Sequence, residues 1–333
     1  MIRNRNTLIG KRGPIGVAAA SPPPVNTVPP SIAGTDPYFV GSTLTVTPGT
    51  WTNSPVLTYQ WRSNGTDIPG ATSTTYVIGN AYQGTTIDVL EIPNGVTLSG
   101  VDSNNLVAFI VTQIADVELW LDAADTGTIT HAAGLVSSWL DKSGNLYTAT
   151  QSSDPAKPIT GTRTINGLNA IDFNGTTQFF NVSGPLTIAG ANHTAYALEQ
   201  SDALTGSQQI LAGAQTGTST RYSLQLDPSS NRIVTNSNPS NIPVNATATA
   251  NTNPNIMGMK RSGTALLAFY NANQGTAASA ADMTSFIIFR IGSTAAGSSF
   301  FNGLIPEIIL LSRDTTLYED NLLGGYLASK WGI

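Results

Sequence analysis

The feature that most constrains the fold is the stretch 300–333, where an apolar run is followed by a helix pattern. Residues 304–311 are apolar except for one proline and one glutamate, and such a run is typical of a strand covered on both faces. Thr316 and Glu319 then have the spacing of a capping box, which predicts that a helix begins there. Gly332 can end that helix in a left-handed conformation. The stretch therefore predicts a strand, a turn and a closing helix.

The predicted helix has one apolar face. That face would contain Leu323, Leu327 and Trp331. Lys330 lies in the last turn, where a cation interacts favourably with the helix dipole. Gly324 and Gly325 each weaken a helix by about 1 kcal/mol, so we expect them to allow close approach to a neighbouring surface.

The same stretch resembles the last strand and closing helix of LamG-like (concanavalin A-like) jelly-roll domains. The residues that carry this resemblance are Gly303, Ile305, Glu307, Ile308, Ser312, Arg313, Gly325, Tyr326, Leu327, Ala328, Lys330, Trp331 and Gly332. The resemblance implies a fold and leaves function open, because this sandwich carries lectins, glycanases and structural modules.

The composition agrees with a chain of short strands. Only 11% of the 333 residues are charged, while 32 are glycine and 19 are proline, which is typical of strands joined by many turns. The length is sufficient for two domains. Cysteine is absent, which favours synthesis in a reducing cytosol. No signal peptide and no stretch of membrane-span length is evident, so we expect no membrane insertion.

Residues 1–30 are predicted to form an extended, basic and proline-rich arm. Its basic residues are Arg3, Arg5, Lys11 and Arg12. The remainder of the chain has a net charge of −9, so the arm is a basic tail on an acidic body and could bind an acidic protein surface. Four charges without interleaved aromatic residues indicate no nucleic-acid partner. We therefore predict that the arm lies along another protein subunit, with its prolines acting as a stiff spacer.

Residues 31–115 resemble a bacterial or phage Ig-like domain. The resemblance rests on Pro48–Trp51, Tyr59–Trp61, Gly65–Tyr76 and Gly84–Val89. Trp61 would be the core tryptophan of the third strand, without a disulfide beside it. Asn64-Gly65 predicts a tight turn, and Asn105–Thr112 is predicted to be the last strand.

Residues 116–333 form the jelly-roll candidate. Val117–Asp125 and Val136–Asn145 are similar to the opening of that family. Further strands are predicted at Thr194–Glu199, Gln209–Ala214, Tyr222–Leu226, Asn255–Arg261, Ala265–Asn271 and Phe286–Gly292. The predicted fold class is all-β, an Ig-like β-sandwich followed by a concanavalin A/LamG-like jelly-roll sandwich with a short C-terminal helix.

No catalytic residue is predicted. Glycanases on this fold use two carboxylates spaced two residues apart on one strand, and none of the five glutamates has an acidic partner two residues away along a core strand. Glu307 is interpreted as a structural carboxylate at a strand end or turn. The only two histidines lie near no nucleophile motif. Trp120, Trp139 and Trp331 occupy motif positions typical of a core, so the sequence places no lectin site.

Asp122, Asp125 and Asp141 are the candidate metal ligands, with Asn145 nearby. Carboxylate and amide oxygens suit Ca²⁺, the one cofactor considered. The alternative, which we favour, is that Asp122 and Asp125 cap turns and that Asp141 closes a turn with Ser143 or Gly144.

The combination of modules resembles tailed-phage virion surface proteins. It implies a non-enzymatic structural protein made in the host cytoplasm, as a capsid decoration, a fibre or a tail-attached adhesin. The expected partners are other virion proteins bound through the arm, further copies of the chain as a homo-oligomer, and a host-surface glycan. The alternative is a bacterial surface or secreted carbohydrate-binding module, and a glycan hydrolase is the least supported class.

Overall fold

The structure is a computed structural model that describes residues 22–94, 100–189, 192–214, 221–227, 232–234, 251–271, 273–274, 278–279 and 285–333. The predicted fold class is confirmed: the chain is all-β, with two sandwich-like bodies and a short C-terminal helix. In the described part, no helix is long and apolar enough to cross a membrane.

The first sandwich is built from short strands. They are β1 (Asn26–Val28), β2 (Ser31–Ala33), β3 (Thr43–Thr47), β4 (Thr50–Trp51), β5 (Leu57–Ser63), β6 (Thr66–Asp67), β7 (Thr75–Val77), β8 (Thr86–Pro93), β9 (Val101–Asp102) and β10 (Leu106–Val107). One sheet has the order β10-β8-β5-β6 with β9 on β8, and it is accompanied by the sheet β2-β3-β7 and the ribbon β1-β4.

Alternation places the core of the first sandwich. On β3, Leu44 and Val46 are buried between exposed threonines, because successive side chains of a strand face opposite sides. Trp61 on β5 is fully buried, as predicted, and its indole N–H donates to the carbonyl of Ser73 at 2.8 Å. Asn64 and Gly65 both have positive φ, at 48° and 76°, which matches the predicted tight turn.

The second sandwich contains the remaining strands. They are β11 (Val117–Asp122), β12 (Ile129–Ala132), β13 (Leu135–Leu140), β14 (Thr148–Thr150), β15 (Thr164–Ile165), β16 (Leu168–Asn169), β17 (Ile171–Asn174), β18 (Phe180–Ala189), β19 (His193–Ser201), β20 (Gln208–Ala214), β21 (Arg221–Asp227), β22 (Arg232–Val234), β23 (Asn255–Ser262), β24 (Ala265–Tyr270), β25 (Asn273–Gln274), β26 (Ala278–Ser279), β27 (Ser285–Ile291) and β28 (Asn302–Leu311). The predicted strands from residue 194 onward agree with these bounds to within two residues.

Two large antiparallel sheets face each other in this sandwich. One has the order β11-β28-β19-β23-β24-β25, with β17 on β28 and β26 on β24. The other has the order β12-β13-β14-β18-β27-β20-β21-β22, and β15 pairs with β16 separately. Along β28, Ile308 and Leu310 enter the core between the sheets, whereas Ile309 and Leu311 face the opposite way. The strand is therefore covered on both faces, as its apolar run predicted.

Helix α1 (Leu317–Trp331) covers that opposite face. Thr316 and Glu319 form the predicted capping box, and Gly332 is left-handed, with φ of 71°. Leu323, Leu327 and Trp331 are buried, as predicted. Single 3-10 turns occur at Asn80–Tyr82, Val111–Gln113, Thr126–Thr128 and Asp154–Ala156.

The two sandwiches meet across helix α1. A Cβ added to Gly325 would lie 2.8 Å from Cε2 of Phe39, so the predicted close approach is confirmed there, whereas the space at Gly324 is open. The ring of Phe109 lies 5.4 Å from that of Phe39 and 5.6 Å from that of Tyr326. The helix thus contacts both bodies.

The prediction that Asn105–Thr112 is a strand is wrong beyond Val107. Only Leu106–Val107 pairs with β8, and a 3-10 turn follows at Val111. The reason is packing: Phe109 and Val111 belong to the apolar cluster beneath helix α1 instead of a ladder in the first sandwich.

The described end of the predicted arm, residues 22–30, packs on the first sandwich. Asn26–Val28 pairs with β4, and the carbonyl of Pro22 accepts from Asn53 Nδ2 at 2.7 Å. Pro24 and Pro30 are buried, so they pack rather than act as a spacer. The expectation that the whole of residues 1–30 lies along another subunit is therefore wrong for residues 22–30, whose own chain satisfies backbone groups there.

Candidate functional site

The structure brings two of the three predicted metal ligands together. Lys142 Nζ lies 3.0 Å from Asp122 Oδ2 and 3.0 Å from Asp125 Oδ2. Asp141 serves a different purpose, because its Oδ1 accepts the backbone N–H groups of Trp120 and Ser143, each at 2.8 Å. The hydrogen bond from the Ser143 N–H to Asp141 closes the turn that the alternative interpretation predicted.

Asp122 is paired with two cations of its own chain, Lys142 and Lys330. Its other oxygen, Oδ1, lies 2.6 Å from Lys330 Nζ, and both side chains are completely buried. Burial alone would raise the pKa of Asp122, but Lys330 and Lys142 outweigh it and hold that pKa below its ordinary value. Asp122 Oδ1 also accepts from the backbone N–H of Ala124 at 3.1 Å.

This donor set favours the turn-forming role over a calcium site. Both carboxylate oxygens of Asp122 contact ammonium groups, which would repel a divalent ion. Within the described ranges, no group of three or more His, Cys, Asp or Glu side chains could hold a metal. Calcium binding by Asp122, Asp125 and Asp141 remains a prediction for titration to test.

Glu307 is the centre of a second buried cluster, the carboxylate box, formed with Trp120, Tyr326, Lys330 and Trp331. Its Oε1 accepts from Trp120 Nε1 at 2.7 Å and from the Tyr326 hydroxyl at 2.8 Å. Its Oε2 accepts from Trp331 Nε1 at 2.7 Å and from Lys330 Nζ at 2.8 Å. Each oxygen therefore has two donors, and the carboxylate is satisfied without water.

The carboxylate box corrects the interpretation of Glu307. The residue lies within β28 and binds side chains, so it is not a strand-end or turn-bonding carboxylate. Burial is the largest influence on the pKa of Glu307 and raises it, while Lys330 opposes the rise. Asp122 lies directly opposite Glu307 in the β11–β28 register, so the two acids form a cross-strand pair that shares Lys330. Because all three side chains are fully buried, the pair has no access to a substrate.

Strand β19 carries two further buried titratable groups at its ends. Glu199 Oε1 accepts from Asn255 Nδ2 at 3.2 Å and from the Tyr270 hydroxyl at 3.3 Å, while its Oε2 has no hydrogen-bond partner among the described residues. Burial raises the pKa of Glu199 to about 8. At the other end, burial and then the charge of Arg261 lower the pKa of His193 to about 3.

A solvent-open cleft lies where the two sandwiches meet; we call it the junction cleft. It has a volume of about 290 Å³. The residues that line it are Asp36, Pro37, Tyr38, Val107, Phe109, Gln113, Ile114, Tyr318 and Leu322. Tyr318, in the first turn of helix α1, is 68% exposed, which is unusual for a large aromatic side chain. The cleft is open to solvent and is therefore accessible to a ligand, unlike the carboxylate box.

The predicted partner-binding residues all belong to the N-terminal arm. Arg3, Arg5, Lys11 and Arg12 lie outside the described residues, and their role remains a prediction.

Sequence reasoning missed the carboxylate box and the junction cleft. One signal was present for the box: a single glutamate inside the apolar run 304–311 must find donors if the run is buried. The cleft had no comparable signal, because Tyr38, Gln113 and Tyr318 come from three distant segments.

No protein-family model matches the sequence, and neither does any curated protein. Solved structures with partial similarity include domain 4 of AbnA, a GH43 extracellular arabinanase from Geobacillus stearothermophilus, in complex with arabinotriose. It is 11% identical, with a TM-score of 0.45, over 65% of this chain and 98% of that chain.

Two further structures are similar over part of the chain. The binding domain of botulinum neurotoxin DC, in complex with SialylT, is 9% identical with a TM-score of 0.46, over 65% of this chain and 52% of that chain. The CBM40 of the Ruminococcus gnavus IT-sialidase, bound to α2,3-sialyllactose, is 12% identical with a TM-score of 0.35, over 41% and 83% of the respective chains. These TM-scores are all below 0.5.

Proposed function

We propose that this chain is a non-enzymatic structural protein of a tailed-phage virion. It attaches through residues N-terminal to the first sandwich and displays the second sandwich to host-surface or environmental glycans. The observation that carries the proposal is the packed junction between the sandwiches. The resemblance of both modules to virion surface proteins and the absence of cysteine agree with it.

The junction joins the two sandwiches through side chains of helix α1. Ser329 Oγ donates to the carbonyl of Val40 at 2.7 Å, and the Tyr326 hydroxyl lies 3.2 Å from Gln83 Oε1. Phe39 and Phe109 pack on the same side of the helix. Such contacts resist bending between the bodies, so a chain anchored at one end would hold the other at a fixed height and orientation.

The contacts of the two buried acids, Asp122 and Glu307, support a structural role for this protein. Asp122 and Glu307 would be the obvious acid pair of a glycanase, yet both are enclosed and bound to Lys330. Their arrangement stabilises the attachment of helix α1 to the sheet rather than presenting a proton donor to solvent.

The attachment is tested by deleting residues 1–20 and, separately, by changing Arg3, Arg5, Lys11 and Arg12 to glutamine. Both variants should melt at the temperature of the full chain, because the described strands begin at Asn26. Both should fail to enter particles when co-expressed with the remaining virion proteins. Normal incorporation of either variant would overturn attachment through this segment.

The alternative function is a bacterial surface or secreted carbohydrate-binding module. The exposed Tyr318 in the junction cleft favours it, since an accessible aromatic ring is a common platform for a sugar. The neighbouring genes distinguish the two: a capsid or tail gene beside this one supports the virion role, and a polysaccharide-degrading operon supports the alternative.

A further inference from the structure

We propose that the junction cleft is a binding site for a neutral saccharide of one or two rings. The inference deepens the proposed display function and rests on it for its biological setting. The chemistry of the site is independent of that function, because it comes from the residues that line the cleft.

The walls of the cleft come from both sandwiches and are held in place. Tyr38 belongs to the first sandwich, Gln113 to the connecting segment and Tyr318 to helix α1. The Phe109 backbone N–H donates to the carbonyl of Tyr38 at 2.8 Å, and the Ile110 N–H donates to Gln113 Oε1 at 3.3 Å. The site is therefore largely formed before a ligand arrives, which reduces the cost of ordering it on binding.

The cleft combines aromatic surface with polar groups that lack partners. Within the described residues, no hydrogen bond or ion pair engages the Asp36 carboxylate, the hydroxyls of Tyr38 and Tyr318, or the side-chain NH₂ of Gln113. Phe109 and Leu322 supply apolar surface beside them. A ligand that fits this set must offer apolar faces and hydrogen-bonding edges together.

A saccharide hydroxyl fits the polar groups better than a cationic side chain does. Asp36 needs a donor, whereas the NH₂ of Gln113 needs an acceptor, and a hydroxyl is both. Lysine and arginine side chains are donors only, so they would pair with Asp36 and leave Gln113 without an acceptor. The C–H face of a sugar ring can also stack on the negative face of the Tyr318 ring.

The charge of the cleft selects against acidic sugars. Among the described residues that line it there is no lysine or arginine, and Asp36 adds a negative charge. The nearby Arg313 is engaged by Glu319 at 2.5 Å and by Asp116 at 3.2 Å. A carboxylate or sulfate on the ligand would therefore meet the negative charge of Asp36, with no cation from the described lining to offset it. A volume of about 290 Å³ is at the small end of ligand clefts, which limits the contact to one or two rings.

The test uses the full chain and saturation-transfer NMR with lactose, cellotriose and arabinotriose as neutral probes. Sialyllactose is the anionic probe, and an arginine-rich peptide is the cationic one. Tyr318→Ala and Asp36→Asn should each weaken binding of a neutral probe at least tenfold. The matched control for Tyr318→Ala is Leu317→Ala, since the Leu317 side chain is 75% exposed and is the neighbour of Tyr318 in the sequence. The matched control for Asp36→Asn is Asp67→Asn, since Asp67 is an exposed acid of the first sandwich. Neither control residue lines the cleft, so neither should change binding.

Binding of at least one neutral probe, lost in the two cleft variants and kept in both controls, supports the site. The absence of binding to all neutral probes overturns it, as does preference for sialyllactose or for the peptide. Binding that Tyr318→Ala leaves unchanged also overturns it. Particle incorporation is measured on the same variants: Tyr318→Ala should still be incorporated, so failure of the saccharide site and failure of the virion role give different results.

Discussion

Two glutamates on neighbouring strands are both buried, yet they are accommodated in opposite ways. Leu198 lies opposite Glu307 in the β19–β28 register, so Glu199 and Glu307 are close in the sheet but face different sides. Glu307, under helix α1, receives four hydrogen-bond donors, one of them Lys330. Glu199 contacts Tyr270 of the core between the sheets and forms no ion pair among the described residues.

The difference shows what a buried carboxylate requires. Taking an ion out of water costs several kcal/mol unless charge and hydrogen bonds replace the solvent. Glu307 obtains that replacement from Lys330 and three neutral donors. Glu199 has no cation beside it among the described residues, so burial raises its pKa to about 8 and favours the protonated form at neutral pH.

The largest expected effect comes from removing the shared cation. Lys330→Met should lower the free energy of unfolding by about 3–5 kcal/mol, because it leaves Glu307 and Asp122 buried without their common partner. Lys142→Met is the matched control and should lower the free energy of unfolding by less. The Lys142 side chain is 18% exposed, and of the two buried acids it contacts only Asp122. Urea unfolding measures both. Equal losses would contradict the role given to Lys330, as would a failure of Glu307→Gln to recover part of the loss in the double variant.

Glu199 is expected to make stability depend on pH on the alkaline side. Its folded pKa of about 8 lies above the ordinary 4.5, so its contribution is complete below pH 4.5 and is lost as the pH rises towards 8. The slope is at most about 1.4 kcal/mol per pH unit, and the loss from pH 5 to 8 is on the order of 3 kcal/mol.

Glu199→Gln should remove most of that downward slope. The remainder would report on Glu307, whose pKa is also raised, and on His193, which acts with the opposite sign below pH 6.5. Chemical denaturation between pH 5 and 8 supplies the measurement. A slope that is unchanged in the variant would show that Glu199 is ionised in the folded chain and would remove the contrast between the two glutamates.

His193 is expected to act with the opposite sign at the other end of β19. Its folded pKa of about 3 lies below the ordinary 6.5, so its contribution is complete above pH 6.5 and is lost as the pH falls towards 3. The loss between pH 6 and 4 is on the order of 2 kcal/mol. His193→Leu should flatten the acid side of the stability profile in thermal melts, whereas the same change at the exposed His131 should not. A variant profile that still falls at acid pH would place the acid sensitivity elsewhere.

The smallest expected effect separates hydrogen bonding from packing in the carboxylate box. Trp331→Phe removes a donor from Glu307, whereas Trp139→Phe removes an indole N–H that has no partner among the described residues. Both tryptophans are buried, so the loss of volume is matched. The first variant should be less stable than the second by about 1–2 kcal/mol in urea unfolding. Equal stabilities would show that the remaining donors satisfy Glu307 without Trp331.

Features encoded over a few residues were predictable from the sequence. The capping box at Thr316 and Glu319, the left-handed Gly332 and the alternation on β3 each depend on neighbours within one turn or one strand. The burial of Trp61 and Trp331 followed from their positions in recognisable motifs. These signals were sufficient for the fold class.

The candidate sites depended on pairings that local patterns do not encode. Lys330 was predicted only as a cation near a helix end, yet its ammonium group reaches Asp122, which is 208 residues away in the chain. Asp122 and Glu307 pair across β11 and β28, whereas the acid pairs expected of a glycanase lie along one strand. The end of the first sandwich was misassigned for a similar reason, because Phe109 packs against a helix that lies far along the sequence.

The junction also has a consequence for how the chain folds during synthesis. Val40 and Ser329, which bond across it, are 289 residues apart. At about 5–20 residues per second, the ribosome needs roughly 15 to 60 seconds to make the helix after the first sandwich has begun to emerge. During that interval Phe39 and Phe109 lack their partner and are exposed to other nascent chains. We therefore expect slow translation to favour aggregation through this face, and a helix supplied in trans as a separate peptide to suppress it.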